Sequence, residues 1–163
     1  MSLKRGIAMD GFKGGCLCGQ VRYEVTAPPI SFFLCNCRAC QYVSGGEPGS
    51  IVLVPRAAFS KSGKTKGFTI CAESGNKLTR HFCIECGTPM FTELPTAPDL
   101  WVIKGGTLDD PSQLKPEYNA FIKDAQPWAH QVAGIPSYER GMGQEAPSGS
   151  PSKKECSIVM GCG

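Results

Sequence analysis

The sequence lacks any long apolar run. None of its 163 residues belongs to a stretch approaching the roughly 18 apolar residues that a bilayer-spanning helix needs. The N-terminal segment, MSLKRGIAMDGFKGG, also lacks the apolar region of about 7–15 residues that a secretory signal requires. We therefore expect a cytoplasmic protein with no membrane partner.

The net charge of the chain is also small. The 17 lysines and arginines against 14 aspartates and glutamates leave a formal charge of +3, spread along the chain. A nucleic-acid binder usually carries a clustered basic patch or arm, and the N-terminal segment offers only Lys4, Arg5 and Lys13. The composition thus gives no electrostatic case for a nucleic-acid partner.

Helical periodicity is missing as well, because no window of 12 or more residues repeats apolar positions at the helical spacing. Val21, Tyr23 and Val25 instead alternate with polar residues, which predicts a strand with one buried face. N-capping groups and a proline predict one helical turn over 109–114. Short apolar segments bounded by Gly, Pro, Ser or Asn predict further strands over 31–34, 51–54, 67–71, 77–82 and 100–103. The predicted fold class is therefore mainly β.

Aromatic residues are absent from the last part of the chain, over 141–163, which is rich in Gly, Ser and Pro. Such a segment buries too little apolar surface to offset the entropy lost on ordering. We therefore expect a flexible C-terminal tail over 141–163, after an N-terminal segment over 1–12 and one domain over 13–140.

Cysteine, in contrast, is abundant. Ten cysteines make about 6% of the chain, which lies below the roughly 8–10% of a disulfide scaffold. In a reducing compartment, clustered cysteines are more often metal ligands than disulfides. Cys71 stands alone in a predicted strand, where we expect a small buried core residue. Seven others form a C-x-C, a C-x-C-x-x-C and a C-x-x-C, which are Cys16 and Cys18, then Cys35, Cys37 and Cys40, then Cys83 and Cys86.

The three groups predict two zinc sites. Two close pairs supply the four thiolates of a closed structural site, whereas the trio leaves one open position, as in a catalytic site. Spacing alone does not force this division, since Cys35 and Cys37 could instead join the C-x-x-C pair. His81 and His130 are further candidate ligands. We assign the structural zinc to Cys16, Cys18, Cys83 and Cys86, and the catalytic zinc to Cys35, Cys37 and Cys40.

Four segments together resemble a known family. They are GGCLCGQVRYEV over 14–25, CNCRACQYVSG over 35–45, RHFCIECGTPMF over 80–91 and WVIKGGTLDDPSQLKPEYNAFIKDAQPW over 101–128. The chain over 13–138 is similar to the glutathione-dependent formaldehyde-activating enzyme family, which includes the centromere protein V type domain. The resemblance implies a β-tent fold of short antiparallel strands with two zinc ions, divided as above.

The resemblance also implies the activity of S-(hydroxymethyl)glutathione synthase, formally a carbon–sulfur lyase, with a small thiol such as glutathione and an aldehyde, formaldehyde, as partners. Near the trio, however, Asn36 stands where the family often has His, and Gln41 and Tyr42 stand where it often has Arg-Lys. The loss of two cationic positions weakens the case for a carboxylate-rich substrate. Arg38 remains, and we predict that it is the catalytic residue that neutralises the site or meets a substrate carboxylate.

Two other functions stay open. One is a zinc-stabilised module that binds protein or chromatin without catalysis, although chromatin contact would favour a long basic arm. The other is a thiol- or metal-handling protein that uses the tail cysteines Cys156 and Cys162. Neither the true substrate nor the oligomeric state follows from the sequence.

Overall fold

The computed structural model describes residues 9–73 and 75–143, and this part of the chain consists mainly of short β-strands. Residues 144–163, with Cys156 and Cys162, lie outside it. None of the described helices is long and apolar enough to span a membrane. The elements are β1 (Phe12–Gly15), β2 (Arg22–Val25), β3 (Ser31–Cys35), α1 (Arg38–Ser44), β4 (Gly49–Pro55), β5 (Phe59–Ser62), β6 (Thr65–Cys71), β7 (Lys77–Cys83), β8 (Pro89–Glu93), β9 (Leu100–Lys104) and β10 (Asn119–Ala120), with 3-10 turns at Arg56–Ala58, Gly105–Thr107, Pro111–Gln113 and Ile122–Asp124.

The strands form two sheets. The smaller sheet has three strands in the order β1-β2-β5, and the larger has seven in the order β10-β3-β4-β9-β8-β7-β6. Neighbouring strands pair antiparallel throughout, except that β10 runs parallel to β3.

A large apolar cluster joins the two sheets. The small sheet contributes Tyr23 and Val25, which are buried while Arg22 and Glu24 between them are exposed, so the predicted one-sided strand is confirmed. Each such side chain contributes roughly 1.5–3 kcal/mol when it is fully buried. The large sheet contributes chiefly Val52, Val54, Phe91, Trp101 and Ile103.

The opposite face of the large sheet carries a second, smaller cluster. Successive residues of a strand point to opposite faces, so Ile51 and Leu53 of β4 face away from Val52. They pack with Val102, Cys35 and Cys40. The cysteine trio therefore lies on the face of the large sheet that is turned away from the main core.

The six strands expected from apolar patterning are all present, with ends that differ by at most two residues. The turn expected over 109–114 is also confirmed, because Asp110 accepts a hydrogen bond from the Ser112 amide at 3.0 Å and precedes a 3-10 turn. Elements without a sequence prediction are α1, β1, β5, β8 and β10.

Cys71 differs from its expected role. It ends β6, where it is half-buried rather than part of either core cluster, and it is disulfide-bonded. The prediction rested on the apolar residues of this strand. It was wrong because β6 is the edge strand of the large sheet, and its side chains are only partly buried.

Candidate metal centres

Two tight turns bring four cysteines together. Cys16 and Cys18 lie between β1 and β2, while Cys83 ends β7 and Cys86 lies in the turn before β8. Their Sγ atoms all lie within 4.8 Å of one another. The separation is 3.5 Å between Cys16 and Cys18, and 3.8 Å between Cys18 and Cys83.

Both turns use the same backbone device. The Gly19 amide donates to the Cys16 carbonyl, and the Gly87 amide donates to the Cys83 carbonyl, each at 3.0 Å. Both glycines have positive φ, at 78° and 71°, a conformation that a Cβ disfavours. The glycine that follows each pair is therefore what lets the chain reverse around its cysteines.

Polar hydrogens point at the sulfurs of this group. The Val21 amide donates to Cys16 Sγ at 3.2 Å. Hydrogen bonds from the Thr88 side chain and backbone lower the pKa of the Cys86 thiol to about 5. Such donors favour the thiolate, which is the form that binds a metal.

A second group gathers three cysteines around the start of α1. Cys35 ends β3, Cys37 is the N-cap of α1 and Cys40 lies in its first turn. Their Sγ atoms also lie within 4.8 Å of one another. Cys35 and Cys40 are buried and Cys37 is half-buried. The structure thus brings the two pairs together and keeps Cys35 and Cys37 with Cys40.

Gly49 makes room for the trio. It lies opposite Cys35 in the β3–β4 pairing. A Cβ at this position would lie 3.1 Å from the Cys40 Cβ and 3.4 Å from its Sγ. A glycine at the start of β4 therefore allows α1 to approach the sheet closely enough to complete the group of three thiols.

Neighbouring thiols and cations shift the pKa values of the trio. Hydrogen bonds from Cys35 and Cys37 lower the pKa of the Cys40 thiol, and the charges of Lys104 and Arg80 lower it further. The pKa of Cys35 is raised by the same hydrogen bonds and by burial. Lys104 and Arg80 thus favour the thiolate form of Cys40.

Buried amides hold the loop that carries the trio. The Gln41 side chain, 3% exposed, donates from Nε2 to the carbonyl oxygens of Asn36 at 2.5 Å and Asp124 at 2.7 Å. Its Oε1 accepts from Arg38 and from Gln126. All its hydrogen-bonding positions are therefore used to join α1 to the segment after β10.

Asn36 extends this network. Its side chain, 1% exposed, donates to the Ala120 carbonyl at 3.1 Å. It also exchanges two hydrogen bonds with the Gln131 amide, at 3.1 and 2.8 Å. Asn36 and Gln41, two of the three departures from the family pattern, thus stabilise the loop, whereas Tyr42 is exposed.

Comparison with known proteins identifies the family. The family model described as glutathione-dependent formaldehyde-activating enzyme matches residues 11–124, well over half of the chain. The chain belongs to this family. The resemblance read from the cysteine segments is therefore confirmed.

Two proteins show distant similarity to this chain. A protein of Halomonas elongata named "Putative glutathione-dependent formaldehyde-activating enzyme" is 29% identical over 120 residues, which cover 71% of this chain and 76% of that protein. A crystal structure of a Rhodobacter sphaeroides protein matches 77% of this chain and 98% of its own, with a TM-score of 0.49 and 16% identity.

Arg38 and the histidines lie outside both thiol groups. Arg38 is exposed, donates to Gln41 Oε1 and places its guanidinium 5.2 Å from the ring centre of the exposed Tyr42. His81 bonds Glu93 at 2.7 Å and packs on Phe91, on the core side of the large sheet. His130 belongs to neither thiol group.

Sequence reasoning missed two cations near the trio, Lys104 and Arg80. Both affect the Cys40 thiol although they are far from it in sequence. The only signal was strand alternation, which places Lys104 on the same side of β9 as Val102. Arg38 is therefore not the only cation near the trio among the described residues.

We expect Gln41→Ala to destabilise the protein by about 2–3 kcal/mol, because it leaves buried carbonyl groups without their donor. The measurement is urea-induced unfolding of the metal-loaded chain. Gln20→Ala is the matched control, since Gln20 is exposed and should change stability by less than about 0.5 kcal/mol. Equal stability of the two variants would contradict the role assigned to Gln41.

Proposed function

We propose that the chain is a zinc-dependent, carbon–sulfur lyase-type enzyme that forms and cleaves a thiol–aldehyde adduct, with S-(hydroxymethyl)glutathione as the candidate product. The observation that carries this proposal is the division of seven thiols into one group of four and one of three. Four thiolates close a tetrahedral site, whereas three leave a position for a substrate. The family description names the two reactants, glutathione and formaldehyde.

The thiol geometry supports zinc as the metal. Zn–S bonds of about 2.3 Å place the sulfurs of a tetrahedron about 3.8 Å apart, close to the 3.5 and 3.8 Å found between sulfurs of the four-cysteine group. Thiolate ligands also favour zinc over magnesium or calcium. We assign a structural zinc to Cys16, Cys18, Cys83 and Cys86, and a catalytic zinc to Cys35, Cys37 and Cys40. With these two ions bound, the short strands of the domain would form the β-tent fold that the family resemblance implies.

The proposed reaction balances without an oxidant or reductant. The thiol sulfur adds to the carbonyl carbon, so a C–S bond forms, the C=O double bond becomes single and the thiol proton ends on oxygen. The reverse reaction breaks the C–S bond. A zinc ion at the trio would supply the positive charge that keeps a substrate thiol deprotonated. The chain itself holds the three cysteine ligands in place through the Asn36 and Gln41 contacts.

Arg38 supports binding of an anionic substrate next to this site. Among the described residues, its only hydrogen-bond acceptor is Gln41, so most of its five donors are available to a ligand. Since Gln41 fixes one edge of the guanidinium, the remaining edge is oriented at modest entropic cost. We propose that it meets a carboxylate of the thiol substrate.

Metal analysis tests the division of the cysteines. Wild-type protein should hold two zinc ions per chain, and Cys37→Ser should lose one while keeping its fold, because only the open site is affected. Cys83→Ser should unfold the domain, since structural zinc affinity is folding free energy. Metal content by mass spectrometry and circular dichroism measure both outcomes. Unfolding by Cys37→Ser, or a folded Cys83→Ser, would reverse the assignment.

Exchange spectroscopy tests the activity. In a mixture of glutathione and ¹³C-formaldehyde, the zinc-loaded protein should accelerate exchange between free aldehyde and the S-hydroxymethyl adduct. Cys37→Ser should return the exchange rate to the spontaneous value, because it removes a ligand of the open site. A wild-type rate equal to the spontaneous one, with one zinc and no thiol binding, would favour the binding module instead.

Kinetics test Arg38. We expect Arg38→Met to raise the KM for glutathione about tenfold, the loss of one charge-assisted hydrogen bond, while kcat changes little. Arg56→Met is the matched control, since Arg56 is also exposed but lies over Trp101 on the other side of the large sheet. An unchanged KM for Arg38→Met would remove Arg38 from the binding site.

A further inference from the structure

The strand register brings two cations to the trio face of the large sheet. Lys104 lies directly opposite Ile51 in the β4–β9 pairing, and Ile51 packs with Cys35 and Cys40. Directly opposed residues of antiparallel strands share a face. Lys104 therefore lies on the same face as the three thiols.

Arg80 reaches this face from the other end of the sheet. It pairs with Thr92 on β8, and Thr92 pairs with Val102 on β9, so the three residues form one row across the strands. Arg80 Nη1 then donates to the Ala39 carbonyl at 2.8 Å. Since Ala39 lies between Cys37 and Cys40, the guanidinium contacts the turn that carries the trio.

Lys104 is buried and Arg80 is half-buried, and neither has a carboxylate partner among the described residues. Lys104 is 9% exposed, and no salt bridge in the described part of the chain involves Lys104 or Arg80. Arg80 Nε and Thr92 Oγ1 are buried with no hydrogen-bond partner within the same residues. Buried charges normally require a counter-charge, and the negative charges that act on Lys104 are those of the three cysteines of the trio.

The charge balance of the trio then favours an anion. Three thiolates outweigh one divalent ion by a single negative charge, and that excess opposes the approach of another anion. Adding the charges of Lys104 and Arg80 changes the net charge of the site from −1 to +1. A thiolate would bring the local charge to neutrality, whereas neutral water would leave it positive.

We infer that Lys104 and Arg80 form a cation pair that selects an anionic sulfur ligand for the open position of the trio. This inference rests on the proposed function and specifies its substrate step, because the ligand is the thiolate form of the thiol substrate. The pair acts through its charge rather than by contact with the rest of the substrate.

Ligand binding to the cobalt-loaded full-length chain tests the inference. Iodide and 2-mercaptoethanol are the probes, titrated at constant ionic strength and fixed pH, with the visible cobalt bands as the readout. Lys104→Met should weaken binding of both probes at least tenfold, since removing one charge about 12 Å away at an effective dielectric constant near 20 has that effect and a nearer charge has a larger one. Methionine keeps the side-chain volume, and replacing a buried charge by an apolar group is usually tolerated.

Three further variants complete the test. Lys104→Arg keeps the charge and should bind both probes within about threefold of wild type. Lys64→Met removes an exposed lysine and should leave binding unchanged, because exposed distant charges are screened. Arg80→Met removes the second cation and should weaken binding as Lys104→Met does, which keeps the test available if one variant fails to fold.

Unchanged probe binding by Lys104→Met would overturn the inference, as would equal weakening by Lys104→Arg or by Lys64→Met. Absence of probe binding by the wild type would also overturn it. If the probes bind as expected but no hydroxymethyl exchange is catalysed, the proposed function fails and the charge selection holds. If exchange is catalysed and Lys104→Met binds both probes normally, the charge selection fails alone.

Discussion

The antiparallel pairing of β4 with β3 and β9 determines what each face of the large sheet can do. Because side chains alternate along a strand, one register directs Val52 to the main core and Ile51 to the trio. A slip of a single residue would exchange these two sets. It would also move Gly49 away from Cys40 and Lys104 away from the thiols. The core and the candidate site thus depend on the same hydrogen bonds.

Apolar patterning predicted six of the strands, but it missed β8, although Met90 and Phe91 of that strand are buried. The other missed strands carry a weaker signal. β5 exposes all but its first residue and begins at Phe59, and β1 is half glycine, so neither carries an alternating signal. β10 has only two residues and follows from its parallel pairing with β3 rather than from its own composition. Helix α1 has seven residues, too few for a helical period to be recognised.

Cysteine spacing predicted which thiols come together, because two or three ligands on one short turn are close whatever the rest of the chain does. The surroundings of the trio were beyond this reasoning. Lys104 and Arg80 reach it through the order and register of five strands, which single-sequence patterns do not contain. Asn36 and Gln41 were noted only as departures from the family pattern, yet their buried hydrogen bonds depend on a segment about 90 residues later.

The partners of that network also bear on where the folded unit ends. The family match stops at residue 124, but Gln126 and Gln131 bond the loop of the trio. Further on, the Tyr138 amide donates to the Asn119 carbonyl, and the Phe121 amide donates to the Arg140 carbonyl. Residues after position 124 therefore contact and support the loop that carries the trio. A boundary drawn from family similarity alone would separate the site from part of its own support.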